Sequence, residues 1–122
     1  MARILVVDDE QLVRQTLQRA LERAGHTVRL ARNGNEALDL ARGAPFDLFM
    51  IDIIMPEKEG IQTIIELRQT NPSARIIAMS GGGRAGNFDY LEVASRLGAT
   101  VALRKPFQSK ELLQAVRSCL VE

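Results

Sequence analysis

Tryptophan is absent, and four phenylalanines and one tyrosine are all the rings in a chain of 122 residues. So few rings argue against a site that covers a flavin. Cysteine occurs once, as Cys119, so no internal disulfide forms and a disulfide-stapled scaffold is excluded. Neither sign of charge dominates: sixteen Lys+Arg stand against fifteen Asp+Glu. That balance leaves no basic footprint for direct nucleic-acid contact and no polybasic membrane anchor. Long apolar runs are missing as well. Met1-Ala2-Arg3 leads into a short apolar run and then two aspartates, which predicts no signal peptide. Nothing approaches the ~18 apolar residues of a membrane span. These absences predict a cytoplasmic protein with no membrane insertion, and a buried Cys119 on an apolar helical face. What is present is ordinary: 46% apolar and 25% charged residues, close to one domain's worth of a soluble globular protein.

No internal repeat, low-complexity tract or Ser/Pro linker divides the chain. Short apolar runs instead alternate with helical spacing. Ile4-Leu5-Val6-Val7 reads as a strand covered on both faces. Val13, Leu17, Ala20, Leu21 and Ala24 follow at helical spacing, with Gly25 at the C-cap. Val28 and Leu30 mark a second strand, and Ala37, Leu38 and Ala41 a second helix. The most apolar stretch runs from Leu48 to Ile54 and holds a single charge, Asp52. A third helix through Ile61, Ile64, Ile65 and Arg68 stops before Asn71-Pro72. Ile76 to Met79 make a fourth strand, Leu91, Ala94 and Leu97 a fourth helix closed by Gly98, and Val101 to Leu103 a fifth strand. Leu112, Leu113, Val116, Cys119 and Leu120 form a last amphipathic helix. The expected fold is α/β: a doubly wound five-stranded parallel sheet with five helices, in one domain.

Open sheets of this kind bind ligands beyond the carboxyl ends of their strands. The polar residues there are Asp8-Asp9 after the first strand, Asp52 at the third, Ser80 at the fourth and Lys105-Pro106 after the fifth. Taken singly, Asp8-Asp9-Glu10 reads equally well as a helix N-cap with first-turn acids. Ser80 alone reads as a loop hydroxyl, and Lys105 alone as a solvated turn residue. Asp52 is different, because an apolar strand does not bury a carboxylate without a partner. Together they place three carboxylates, a hydroxyl and an ammonium on one rim. Clustered carboxylates favour a cation among them, and hard oxygen donors without His or Cys suit Mg²⁺. Lys105 supplies a point charge for a phosphoryl oxygen, Ser80 a donor, and a carboxylate the nucleophile. The set reads as a site where an aspartate becomes phosphorylated.

At this point the chain resembles the receiver domains of two-component response regulators. The segments that carry the resemblance are Ile4–Glu10, Asp47–Pro56, Gly60, Ala78–Gly81, Leu97–Ala99 and Leu103–Phe107, in the family's order. The resemblance implies the flavodoxin-like receiver fold over residues 1–122, with no output domain, as a stand-alone regulator. It implies Asp52 as phosphoacceptor, Asp9 and Asp52 as direct Mg²⁺ ligands, Asp8 as a ligand through water, and the Ile54 carbonyl as a further ligand. Lys105 would contact the phosphoryl group and Ser80 would hydrogen-bond it after transfer. The implied donor is a sensor histidine kinase or a histidine phosphotransfer protein, meeting the first helix near Arg14, Gln15, Gln18 and Arg19. The signal would leave through an unspecified downstream protein. The chain would modify itself and lose the group slowly, without being an enzyme.

Two features depart from the family's pattern. Its usual aromatic three positions before the lysine is Ala102 here, and a methyl group cannot make the rotamer switch that usually couples Ser80 to the output face. After Ser80 comes Gly81-Gly82-Gly83-Arg84-Ala85-Gly86, a run expected to be mobile and to become ordered on phosphorylation. That run also matches G-x-G-x-x-G, but it follows the fourth strand and no acid for a ribose lies downstream, against a dinucleotide site. A haloacid-dehalogenase-type phosphatase needs an acid two residues after the nucleophile, where this chain has Ile54. The alternative reading is a receiver-shaped docking module that is not phosphorylated; loss of an acidic, hydroxyl or lysine position would support it, and none is lost. His26, after Gly25, reads as a solvated turn residue. Met50, Met55 and Met79 read as packing, with Met55-Pro56 shaping the loop after Asp52, and Glu57, Lys58 and Glu59 as solvated.

Overall fold

The computed structural model describes residues 2–53, 60–80, 92, 96 and 98–120. Its strands are β1 (Arg3–Val7), β2 (Thr27–Ala31), β3 (Leu48–Asp52), β4 (Ile76–Ser80) and β5 (Val101–Arg104). They form one parallel sheet in the order β2-β1-β3-β4-β5. The described helices are α1 (Gln11–Arg23), α2 (Gly34–Gly43), α3 (Gly60–Thr70) and α4 (Ser109–Leu120). The α/β class and the five-stranded parallel sheet are those the alternation implied. Of the expected helix through Leu91, Ala94 and Leu97, only Glu92 and Arg96 are described, as helical residues joined by a 3.0 Å ion pair. Ile54, Met55-Pro56, Glu57 to Glu59 and the run Gly81–Gly86 lie outside the described residues, and so do the expectations attached to them.

The strand sequences explain the two-layered core. Side chains alternate across a strand. The apolar β1 therefore sends Ile4 and Val6 to one face and Leu5 and Val7 to the other, all buried. On the first face Ile4, Val6, Met50 and Met79 pack with Leu17 and Leu21 of α1 and Leu112, Val116 and Cys119 of α4. On the second, Leu5, Val7, Phe49, Ile51 and Ala78 pack with Leu38 of α2 and Ile64 and Leu67 of α3. Each fully buried aliphatic side chain contributes about 1.5–3 kcal/mol. Central β3 and β4 are buried throughout, whereas edge strand β2 mixes buried and exposed positions. Cys119 is buried as expected, and burial pushes its thiol pKa up.

Helix ends are fixed by local chemistry. Gly25, at φ +99°, follows α1 and donates to Glu22 O, while His26 N donates to Leu21 O, a Schellman-type ending. Asn33 caps α2 by accepting from Glu36 N at 2.9 Å, and Glu36 reaches back to accept from Arg32 N at 2.7 Å. Arg68 of α3 donates to the carbonyls of Pro72, Ala74 and Gly98, tying the approaches to β4 and β5 together. One expectation is corrected here. His26 is not simply solvated: it is half-buried and its Nδ1 accepts from Ala2 N at 3.2 Å, because the turn after α1 folds back on the start of β1. Ala102 is half-buried, lies opposite Ala78 in the sheet and packs on the α2–α3 side of the core. Among the described residues, no helix is long and apolar enough to cross a membrane.

Candidate functional site

Strand alternation builds the rim. On the α1–α4 side of the sheet, the row Ile4, Val6 continues into Asp8, Leu48 and Met50 into Asp52, and Val101 and Leu103 into Lys105. The same parity that buries the apolar residues thus aims two carboxylates and an ammonium at one another once the strands run out. Ser80 continues the row Ile76, Ala78, which belongs to the opposite side. β1 lies between β2 and β3, so the order reverses beside Asp8 and Asp52, where such sheets bind ligands.

Asp8 is 0% exposed and Asp52 5%, while Asp9 is exposed. Carboxylate oxygens of Asp8, Asp9 and Asp52 all lie within 4.8 Å of one another. Lys105 Nζ donates to Asp8 Oδ2 at 2.7 Å and to Asp52 Oδ2 at 3.4 Å. Burial by itself would lower the Lys105 pKa, but the Asp8 hydrogen bond and the charges of Asp52 and Asp8 outweigh it and hold the ammonium above its ordinary value. Asp8 Oδ1 accepts from Glu10 N at 2.9 Å. The N-cap reading of these acids is therefore corrected: Glu10 occupies the N-cap of α1 without a side-chain cap bond, and Asp8 braces the turn from inside. Ser80 is 3% exposed, and its carbonyl accepts from Lys105 N at 2.7 Å, which joins the ends of β4 and β5. Among the described residues, no buried side-chain nitrogen or oxygen lacks a hydrogen-bond partner.

The donor set fits a hard divalent cation. Three formal negative charges against the one positive charge of Lys105 leave two, and all three donors are carboxylate oxygens. Asp8, Asp9, Asp52 and Lys105 are thus brought together as the sequence implied. Ser80 stands at the neighbouring strand end, and Ile54 lies outside the described residues.

Sequence reasoning missed the roles of two contributors. Arg14 was grouped with surface residues of the first helix, but it is half-buried and its Nη1 donates to the Asp8 carbonyl at 2.8 Å. The available signal was its place one turn after Glu10, which lets a long side chain fold back over the β1–α1 turn. Gly60 opens α3 so close to β3 that a Cβ there would overlap the Asp52 carbonyl oxygen and the Ile53 Cα. Only glycine allows that approach.

Comparison with known proteins adds the family. The model for the response regulator receiver domain matches residues 4–117. The transcriptional regulatory protein CpxR of Escherichia coli is 38% identical over 120 residues, covering 98% of this chain and 50% of that protein. The response regulator MprA of Mycolicibacterium vanbaalenii is 36% identical, covering 97% of this chain and 50% of that protein. The chain thus spans about half the length of the curated relatives it matches. Among solved structures, the chemotaxis protein CheY4 of Vibrio cholerae superposes with a TM-score of 0.89 at 30% identity, covering 98% of this chain and 99% of that one. The response regulator TrrA of Thermotoga maritima, solved in complex with Mg²⁺ and BeF, superposes with a TM-score of 0.86 at 32% identity, covering 98% of this chain and all of the other.

Proposed function

Since the chain belongs to the response regulator receiver family, we propose that it accepts a phosphoryl group from a phosphohistidine donor onto Asp52, with Mg²⁺ held by the surrounding acids. One observation carries this reading: the buried Asp52 carboxylate ends an apolar strand within reach of the Lys105 ammonium and of two further carboxylates. Leaving such a charge inside a sheet costs stability, and a nucleophile that must be kept dry and oriented accounts for it.

In the proposed transfer an Asp52 carboxylate oxygen attacks phosphorus in line. The P–N bond to the donor imidazole breaks with its electron pair going to nitrogen, and an acyl phosphate forms on Asp52. Gly60 lets α3 close against the Asp52 carbonyl, which limits how far the nucleophile can move. Lys105, already 3.4 Å from Asp52 Oδ2, donates to a phosphoryl oxygen as charge builds there. Asp9 and Asp52 would hold Mg²⁺ directly, Asp8 through water and the Ile54 carbonyl alongside. The bound cation would neutralise charge on the phosphoryl oxygens. Ser80, buried at the end of β4, would hydrogen-bond the transferred group. TrrA, with Mg²⁺ and BeF in its structure, supports expecting such a ligand pair here. The chain modifies itself and releases the group slowly, so it acts as a signalling protein in the cytoplasm and not as an enzyme.

The donor's docking place lies beside these groups. Leu12 is 75% exposed, and with Val13, Thr16, Pro106 and Phe107 it borders a groove of about 410 Å³ that reaches Lys105 and Glu10. A donor helix laying its apolar side here would bring a phosphohistidine to Asp52, with sensor kinase or phosphotransfer protein as the partner. The modified domain then signals, or relays the group, through contact with a downstream protein. The test is incubation with acetyl phosphate, with and without Mg²⁺, followed by intact mass. A gain of one phosphoryl group that disappears with chelator is expected, and no gain under any Mg²⁺ concentration would overturn the proposal.

A further inference from the structure

We infer that Arg14 is a positioning residue for the acidic site, holding the Asp8–Asp9 peptide so that the Asp9 carboxylate points at the cation. The inference rests on the reading of the three acids as a Mg²⁺ site. Asp8 is held by four hydrogen bonds. Its N–H donates to Ala31 O of β2 at 3.1 Å, and its carbonyl accepts from Arg14 Nη1 of α1 at 2.8 Å. Its Oδ1 accepts from Glu10 N at 2.9 Å and its Oδ2 from Lys105 Nζ at 2.7 Å. Asp9 is the opposite case. It is exposed, and among the described residues no hydrogen bond holds its own carboxylate.

The direction of the Asp9 side chain is therefore set by its backbone. A peptide unit is planar, so the Asp8 carbonyl, the Asp9 nitrogen and the Asp9 Cα move as one body. Arg14 grips that body at its oxygen. A charged donor to a carbonyl is among the stronger hydrogen bonds a side chain offers. The guanidinium also lies near the start of α2. Glu36 is held below its ordinary carboxylate value first by the Arg32 backbone N–H, with the charges of Arg32 and then Arg14 contributing. Arg14 thus ties α1 to the end of β1 through the Asp8 carbonyl.

Charge and position make opposite demands on Mg²⁺ affinity, which makes the role testable. Removing a cation near the acids favours Mg²⁺ by simple electrostatics. Loosening the Asp9 ligand disfavours it, and losing a residue that orients a metal ligand costs roughly 10-fold or more in affinity. The experiment is calorimetric Mg²⁺ titration of the unsubstituted protein, Arg14→Met, Arg14→Lys and Arg19→Met, each with its melting curve in the absence of metal. Arg14→Lys keeps the charge, and Arg19, exposed on the same helix, controls for the loss of a surface arginine.

Arg14→Met is expected to bind Mg²⁺ roughly 10-fold more weakly, Arg14→Lys to recover most of the loss, and Arg19→Met to match the unsubstituted protein. Should Arg14→Met be unfolded at the titration temperature, Arg14→Gln, which keeps a donor on a shorter arm, is expected to fall between. Equal or tighter binding by Arg14→Met, or by Arg14→Gln in its place, overturns the inference while leaving the Mg²⁺ site standing. Absence of Mg²⁺ binding by the unsubstituted protein overturns the site itself, and the inference with it.

Discussion

Replacing Lys105 with methionine removes the ammonium paired with a fully buried carboxylate. Lys105 Nζ lies 2.7 Å from Asp8 Oδ2, and the Asp8 side chain has no exposed surface. Deleting one partner of a buried ion pair costs about 3–5 kcal/mol. Asp8 keeps the Glu10 amide and Arg14 nearby, so the low end, about 3 kcal/mol, applies here. For a domain of this size each kcal/mol lowers the melting temperature by about 3–5 °C, so a fall of roughly 10 °C follows. The same substitution takes a competing cation out of the acid cluster. Relief of about 1.4 kcal/mol of repulsion would tighten Mg²⁺ roughly tenfold. Linkage then requires the stability gap between variant and parent to shrink by about that amount, close to half, when Mg²⁺ saturates both. Phosphorylation by acetyl phosphate should nevertheless slow, because the donor to the phosphoryl oxygen is gone. Thermal melts by circular dichroism, with and without Mg²⁺, read the first two effects. A loss under 1 kcal/mol, or a gap that Mg²⁺ leaves unchanged, would refute the picture of Lys105 as the internal counter-ion of these acids.

Gly60→Ala should destabilise the fold by about 1–3 kcal/mol in urea denaturation and slow phosphorylation, since its Cβ meets the Asp52 carbonyl and the Ile53 Cα; parental stability and rate would contradict the close approach. His26 has a pKa below its ordinary 6.5, chiefly because of burial, so the fold favours its neutral, accepting form. The stability it contributes is present above pH 6.5 and is lost as pH falls through its folded value. His26→Phe, which cannot titrate, should flatten the melting-temperature profile between pH 7 and pH 5, and an identical profile would exclude His26 as the cause. Leu12→Asp should cut transfer from a phosphohistidine protein at least tenfold while leaving acetyl phosphate reactivity unchanged; equal effects on both would remove the groove from donor docking.

Much of this was legible in the sequence, and the reasons differ by residue. The placement of Asp8 and Asp52 followed from two rules, ligand sites at carboxyl strand ends and the cost of an unpartnered carboxylate in an apolar strand, which need no knowledge of side-chain contacts. Cys119 followed from helical spacing alone. Arg14 escaped because periodicity assigns polar residues outward and cannot register a long side chain that doubles back over a turn to a carbonyl. His26 escaped because its acceptor role depends on β1 and β2 lying side by side, a pairing remote in sequence. Gly60 was part of the matched pattern, yet its purpose is visible only when α3 meets β3. The brace from Asn33 to Glu36 was written locally, as an acceptor followed three residues later by a glutamate, and simply went unread.

The most direct measurement is intact mass of the Asp52→Asn variant beside the unsubstituted protein after acetyl phosphate and Mg²⁺, with melting curves of both. The substitution keeps the shape of the side chain and removes only the nucleophilic charge. The unsubstituted protein should gain one phosphoryl group and the folded variant none. Modification of the folded Asp52→Asn variant to the same extent would mean that the acceptor is another residue, and that the geometry around Asp52 serves some other end.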